Sequence, residues 1–386
     1  MDIGKYELDL EDFARAFDSL DDPRSDRNRL HPLLSVLAIA VMAILAGAGG
    51  PTAIARWANH KADWLTRLLP LPNGIPQKDV FRRVLMSLDP ATFQNCFASW
   101  IQDLLAAHEA GSGAKTLLNI DGKTLRRSHD KAKDLGALHS VSVWAGEYGL
   151  TLAQVGCAEK SNEITAIPEV LKLVNVKGAI VTIDAMGTQK KIAKQIVDGG
   201  GEFVLALKGN QGNFHKAVAE YVDRQLETDF QGIGARRHET HEKGHGREEH
   251  RLYIQFPVPE DLAGRRAWKG LKTIGVAMLT TMSNGTETHD VRYYINSLPM
   301  GVQEFARAVR GHWGIENGCH WVLDMVYRED ESRIREKRLR ESFAWLNRFT
   351  LSLLKQHPAK TSVAMKRRSC AWSDDFLLQV VTGTAG

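Results

Sequence analysis

The chain lacks most of the features that would assign it quickly. Its four cysteines, Cys96, Cys157, Cys319 and Cys370, stand far apart and form no C-x-x-C pair. That excludes a disulfide framework and a cysteine-based structural zinc site, and it fits a reducing cytoplasm. No run reads as a membrane span: residues 32–50 come nearest, but they begin too late for a signal peptide, and their alanines and glycines indicate a buried helix. The formal net charge is only +4 over 386 residues, so the total says little about a partner. With 43% hydrophobic and 25% charged residues, the chain is in no disordered class, and its length allows two or three domains.

The charge that is present is clustered. Lysine and arginine gather at 123–127, 190–194 and 333–340, a distribution that suits a polyanion. Residues 1–110 read as a helical domain, with Thr52 as a cap of one helix. A later helix in that region shows Arg82 and Arg83 on one side, as a DNA-docking edge or as a solvated face. Residues 110–114 read as a linker, and after it the composition changes to short β-branched runs, the start of a second domain over 114–386.

Two of those runs end alike. Residues 117–124 form an apolar strand closing on Asp121-Gly122, where a tight turn exposes the carboxylate. Residues 179–187 repeat the pattern with Asp184. Asp-Gly and Asp-x-x-Gly are also ordinary turn formers. Two carboxylates on core strands are nonetheless costly unless a cation sits between them, and a divalent metal fits. The element order is β, β, β, α, β, α, β, with a hairpin at 146–149, helices at 163–174 and 189–197, and a fifth strand at 203–207. A meander followed by right-handed crossovers gives an α/β, ribonuclease H-like mixed sheet of five strands. Its first and fourth strands lie side by side, so Asp121 meets Asp184 at one edge.

Residues 210–298 read as an inserted β-rich subdomain. In it, His238, His241, His245 and His250 suit a polar hairpin better than a metal site, and Trp268 suits the core better than base stacking. A helical stretch at 303–327 follows, where His312, Glu316 and His320 stand at i, i+4 and i+8 on one face. That row either binds zinc or presents Glu316 with histidines that face DNA or orient the carboxylate. Asp324 is a reserve carboxylate. A last basic helix, 333–355, has Phe343, Leu346, Phe349 and Leu353 on its apolar face.

Taken in order, Asp121-Gly-Lys-Thr, Ile183-Asp-Ala-Met-Gly-Thr-Gln, Leu205-Ala-Leu-Lys-Gly-Asn-Gln, Gly244-His-Gly-Arg, Arg310-Gly-His-Trp-Gly-Ile-Glu-Asn and Glu329-Asp-Glu-Ser-Arg-Ile-Arg resemble the H-repeat-associated transposases. These are bacterial insertion-sequence enzymes with a DDE triad. The resemblance runs over nearly the whole chain, and the helical N-terminal region resembles the family's transposase-associated domain. It implies an enzyme that binds double-stranded DNA at transposon ends, hydrolyses phosphodiester bonds and joins the freed 3′ hydroxyl to target DNA. The triad falls on Asp121, Asp184 and Glu316, which would hold Mg²⁺, with Mn²⁺ as substitute. Lys123, Arg126 and Arg127 then become phosphate contacts, with Lys208 and Gln211 on the same edge. Arg310, His312 and His320 surround Glu316, and Arg333, Arg335, Lys337, Arg338 and Arg340 track phosphates from the last helix. A homodimer on DNA follows from paired-end chemistry. One departure stands out: Val309, His312 and Leu323 occupy the places of the Tyr, Arg and Lys helpers found around the glutamate in neighbouring DDE families. Two rival functions share this pattern, an inactive domesticated DNA-binding protein and a ribonuclease H-like nuclease without strand transfer.

Overall fold

The computed structural model describes residues 17, 20–96, 114–157, 163–244 and 246–383. Most of the expected linker, and His245, lie outside the described residues. The helices α1 (Leu33–Leu45), α2 (Pro51–His60), α3 (Ala62–Leu68) and α4 (Lys78–Ser87) come first. Pro51 occupies the first turn of α2 and Gly50 caps it, so Thr52 is not the cap; the fixed φ of proline is preorganised for that position.

The sheet follows. Its strands and interleaved helices are β1 (Leu117–Leu125), β2 (Leu138–Ala145), β3 (Leu150–Cys157), α5 (Glu163–Lys172), β4 (Ile180–Ile183), α6 (Lys190–Asp198), β5 (Glu202–Leu207), α7 (Gly212–Glu227), β6 (Arg236–Gly244), β7 (Arg247–Pro257), β8 (Thr273–Ser283) and β9 (Thr286–Asn296). Then come α8 (Val302–Ile315), a π-turn over Glu316–His320, α9 (Trp321–Met325), α10 (Lys337–Gln356), α11 (Val363–Trp372) and α12 (Asp374–Thr382). The basic helix α10 therefore starts after Arg333 and Arg335, and two further helices follow it. Among the described residues no helix is long and apolar enough to cross a membrane.

The strand order is β3-β2-β1-β4-β5-β9-β8-β7-β6. β1 pairs antiparallel with β2 and parallel with β4, and β4 pairs parallel with β5. The first and fourth strands are neighbours, as their order in the chain demands. The expected five-stranded sheet with a separate β-rich insertion needs correction, because the described residues form one sheet of nine strands. β9 pairs with β5 from Val204↔Asn296 to Leu207↔Tyr293. The physical reason lies in β5, which is largely buried and would otherwise leave a row of unpaired backbone groups at its outer edge.

The helical N-terminal part is not closed on itself either. α1 is buried on every side from Ser35 to Leu45, and a helix without a polar face needs cover all round. Part of that cover comes from the far end of the chain, since residues of α1, α10 and α12 share one apolar core. Arg367 of α11 donates to the Ile44 carbonyl at 3.1 Å, and Ser342 of α10 to the Leu85 carbonyl at 3.0 Å.

Candidate functional site

Register places the first two acids. β1 and β4 run parallel with Ile120 opposite Ile183, and the next residue on either strand is an aspartate. Asp121 and Asp184 thus follow directly on the last parallel pair, at the carboxyl end of β4, the usual side for a site in an open α/β sheet. The expected turn at Asp121-Gly122 is absent. β1 continues to Leu125, with Asp121 opposite Ser142 and Gly122 opposite Val141 of β2. Asp184 does enter a turn, and its Oδ1 accepts the Met186 and Gly187 amides, each at 3.1 Å.

Glu316 comes from the helical side. It opens the π-turn, in which the Trp321 amide bonds to the Glu316 carbonyl five residues back, and such insertions recur at functional positions. His312, Glu316 and His320 all interact with Asp121 across this turn. His320 brings Nδ1 to 3.4 Å from Asp121 Oδ2, and Glu316 is exposed. Glu316, Asp184, His312, Trp313, Lys208 and Arg292 line a cavity of about 500 Å³.

The carboxylates differ in electrostatics. Burial works to raise the Asp121 pKa, but the His320 contact and the fields of His320 and His312 outweigh it and hold the group below the ordinary carboxylate value. Asp184 goes the other way: burial pushes it up, the Gly187 amide opposes, and the charges of Asp121 and Glu163 add to the rise. Glu316 is raised by burial and by Asp121, against His320 and Arg292. Burial lowers His312 despite the attraction of Asp121 and Asp184. Two of the three carboxyls are therefore raised chiefly by burial, with the charge of Asp121 adding to both.

Four supporting residues escaped the sequence reading. Asn119 Nδ2 donates to Thr182 Oγ1 at 2.7 Å, and that hydroxyl lies 2.9 Å from His312 Nδ1. The chain of bonds ties β1, β4 and α8 together beneath the acids. Beside it, buried His139 and Glu163 pair at 2.6 Å, with His139 Nδ1 also 2.7 Å from Thr124 Oγ1. Gly122 is required by this pair rather than by a turn: a Cβ there would lie 2.4 Å from Glu163 Oε1 and 2.5 Å from His139 Nε2. The polar residues among the apolar ones of β1 and β4 were the available signal, while Glu163 stood only as the first residue of the expected helix at 163–174.

The expected DNA contacts divide. Because β1 does not turn at Gly122, Lys123 is carried inward, is 6% exposed, and sits 2.6 Å from Asp324 and 3.4 Å from Asp330. This pairing corrects its reading as a phosphate contact and accounts for Asp324. Arg340 is likewise buried and donates to the Ser128 and Gly136 carbonyls, and His312 is committed to Thr182. Gln211 and the exposed Asn210 donate to the Thr188 and Ala185 carbonyls, bracing the turn after Asp184. Arg126, Arg127, Lys208, Arg333, Arg335, Lys337 and Arg338 are exposed, as is Arg310, which pairs with Glu242 at 2.9 Å. Trp268 is core, buried and stacked on Phe214 at 5.5 Å.

Comparison with known proteins gives a consistent picture. A family model described as DDE_Tnp_1-associated matches residues 14–101, and one described as a transposase DDE domain matches residues 112–354. The chain is 38% identical to "Putative transposase YncI" of Escherichia coli O157:H7, over 94% of this chain and 92% of that one. It is 35% identical to "H repeat-associated putative transposase YhhI" of Escherichia coli strain K12, over 98% and 99%. Among solved structures, a piggyBac transposase synaptic complex with hairpin DNA aligns with 97% of this chain and 77% of that one. At 10% identity and a TM-score of 0.39, that likeness carries no argument.

Proposed function

The chain belongs to the H repeat-associated transposases, a family with a DDE domain, and on that premise we propose that it is a transposase that cuts DNA at its element's ends and joins the 3′ hydroxyl to a target. The observation that carries the proposal is the register Ile120↔Ile183, which sets Asp121 beside Asp184, with Glu316 and Asp184 lining one cavity.

Asp121, Asp184 and Glu316 are the ligands we assign to the divalent metal that a DDE domain implies. The fit is supported by their all-oxygen donor set, which suits Mg²⁺ or Mn²⁺ over zinc. It is also supported by the burial that raises Asp184 and Glu316, to which the charge of Asp121 adds. When bound, such a metal would supply an activated water or hydroxyl and neutralise charge on the leaving oxygen. The protein's part is placement. His320 keeps Asp121 ionised, the Met186 and Gly187 amides fix the Asp184 carboxylate, and the Asn119–Thr182–His312 chain holds α8, and hence Glu316, against the sheet. Lys208 and Arg292 at the cavity wall offer positive charge to a phosphate. Exposed Arg126, Arg127, Arg310, Arg333, Arg335, Lys337 and Arg338 take the flanking backbone, which positions DNA without reading its sequence. Two ends processed together call for two copies, so a dimer forms on DNA.

The test is incubation of the full chain with Mg²⁺ and a labelled duplex carrying the element's own terminal repeats, with a target plasmid present. Cut ends and joined products are expected. Asp121→Asn and Asp184→Asn should each lower the rate by at least ~10²-fold, the scale of losing one electrostatic contributor to a transition state. Cleavage without joining would identify a nuclease, and equal rates in the variants would refute the site.

A further inference from the structure

The ladder of β6 and β7 runs outward to an exposed tip, and there His241 stands directly across from His250. Their rings stack with centroids 4.2 Å apart and planes 9° from parallel. Glu239 is two residues before His241, hence on the same face, and its Oε2 lies 3.1 Å from His250 Nε2. One ligand atom from each of the three lies within 4.8 Å of the others, and among the described residues no other three His, Cys, Asp or Glu side chains gather so closely. Zinc bonds of roughly 2.0–2.1 Å in a tetrahedron put ligand atoms about 3.3 Å apart, so small side-chain rotations close the set on a backbone the ladder already fixes.

The hairpin also sorts its charges by face. On the opposite side Glu242 is held by Arg251 at 3.0 Å and by Arg310 of α8 at 2.9 Å, and His238 stacks on Tyr253. Two imidazole nitrogens, one carboxylate oxygen and an open fourth position suit Zn²⁺, Co²⁺ or Ni²⁺, not the oxygen-seeking Mg²⁺.

We propose that Glu239, His241 and His250 form a zinc-class metal site, separate from the three acids, that clips the edge strand β6 to β7. An ion there restrains the hairpin whose other face holds Arg310, six residues before Glu316 in the chain. The site stands independently of the transposase reading.

The test uses untagged full-length protein, stripped with EDTA and titrated with Co²⁺ while visible absorption is followed. A tetrahedral cobalt band that saturates at one equivalent, is displaced by Zn²⁺ and is free of thiolate charge transfer is expected. His241→Ala and His250→Ala should each abolish it, whereas Asp184→Asn and Glu316→Gln should keep it. The altered histidines lie at an exposed tip, so circular dichroism should match the parent. Zn²⁺ should also slow amide exchange in β6 and β7. Absence of the band in the parent, its survival in both histidine variants, thiolate character, or its loss in the acid variants would each overturn the site.

Discussion

Asp184 is held where its charge is unwelcome. Burial and neighbouring acids raise its pKa above the ordinary 3.8, so the folded state binds that proton more tightly than the unfolded chain does. Without a cation, Asp184 therefore costs nothing below the unfolded pKa, and stability falls as pH rises through the window up to the folded pKa. Asp184→Asn keeps the oxygen that accepts the Met186 and Gly187 amides and removes the charge. In EDTA at neutral pH it should melt higher than the parent by thermal denaturation, and it should lose most of the rise in Tm that Mg²⁺ gives the parent. A lower melting point in EDTA would contradict this account. Gly122 offers a second test. Gly122→Ala drives a methyl into Glu163 and His139, and overpacking of this kind costs about 1–3 kcal/mol, readable as a lower urea midpoint with unchanged slope.

Among the elements, α10 was legible as amphipathic but not as what it is. The spacing of Phe343, Leu346, Phe349 and Leu353 marks its apolar side, and all four are buried. Nothing in that spacing hinted that Arg348, on the same helix, is fully buried. It lies 3.3 Å from equally buried Glu329 and donates to Ser142 and Ser140 of β2 at 3.1 and 3.2 Å. Breaking one side of such a pair leaves a buried charge, at a cost of about 3–5 kcal/mol. Glu329→Gln and Arg348→Met should each show that loss in denaturant titrations, and the double variant should lose less than the two together. The π-turn was hidden for a related reason. The i, i+4, i+8 spacing of His312, Glu316 and His320 is ideal for a regular helix, and only the backbone bond from Trp321 to Glu316 shows that the helix widens there.

For the molecule as a whole, the exposed basic residues and the buried ones should separate in DNA binding. Removing one side chain that neutralises a phosphate should flatten the plot of log affinity against log salt by about 0.9. Arg333→Ala and Arg335→Ala, both exposed, should show that change with little effect on stability. Arg340→Ala should do the reverse, leaving the slope and lowering the denaturation midpoint, because its guanidinium holds two carbonyls inside the fold. A fall in slope for Arg340→Ala equal to that of Arg333→Ala would refute the division.

The order of strands and helices through β5 and the pairing of β1 with β4 were already written in the order of residues. Apolar runs, turn residues and the handedness of crossovers are local or nearly local constraints, and they brought Asp121 to Asp184. The family resemblance added Glu316. Packing settled what remained: that the β-rich segment extends β5 instead of standing apart, that α1 is finished by helices from the other end of the chain, and that Lys123 and Arg340 face inward. Each of those outcomes depends on which surface is left uncovered once the neighbouring elements have packed. Burial is a property of the assembled molecule, and a charge cluster in sequence looks the same whether its side chains end in water or against an acid.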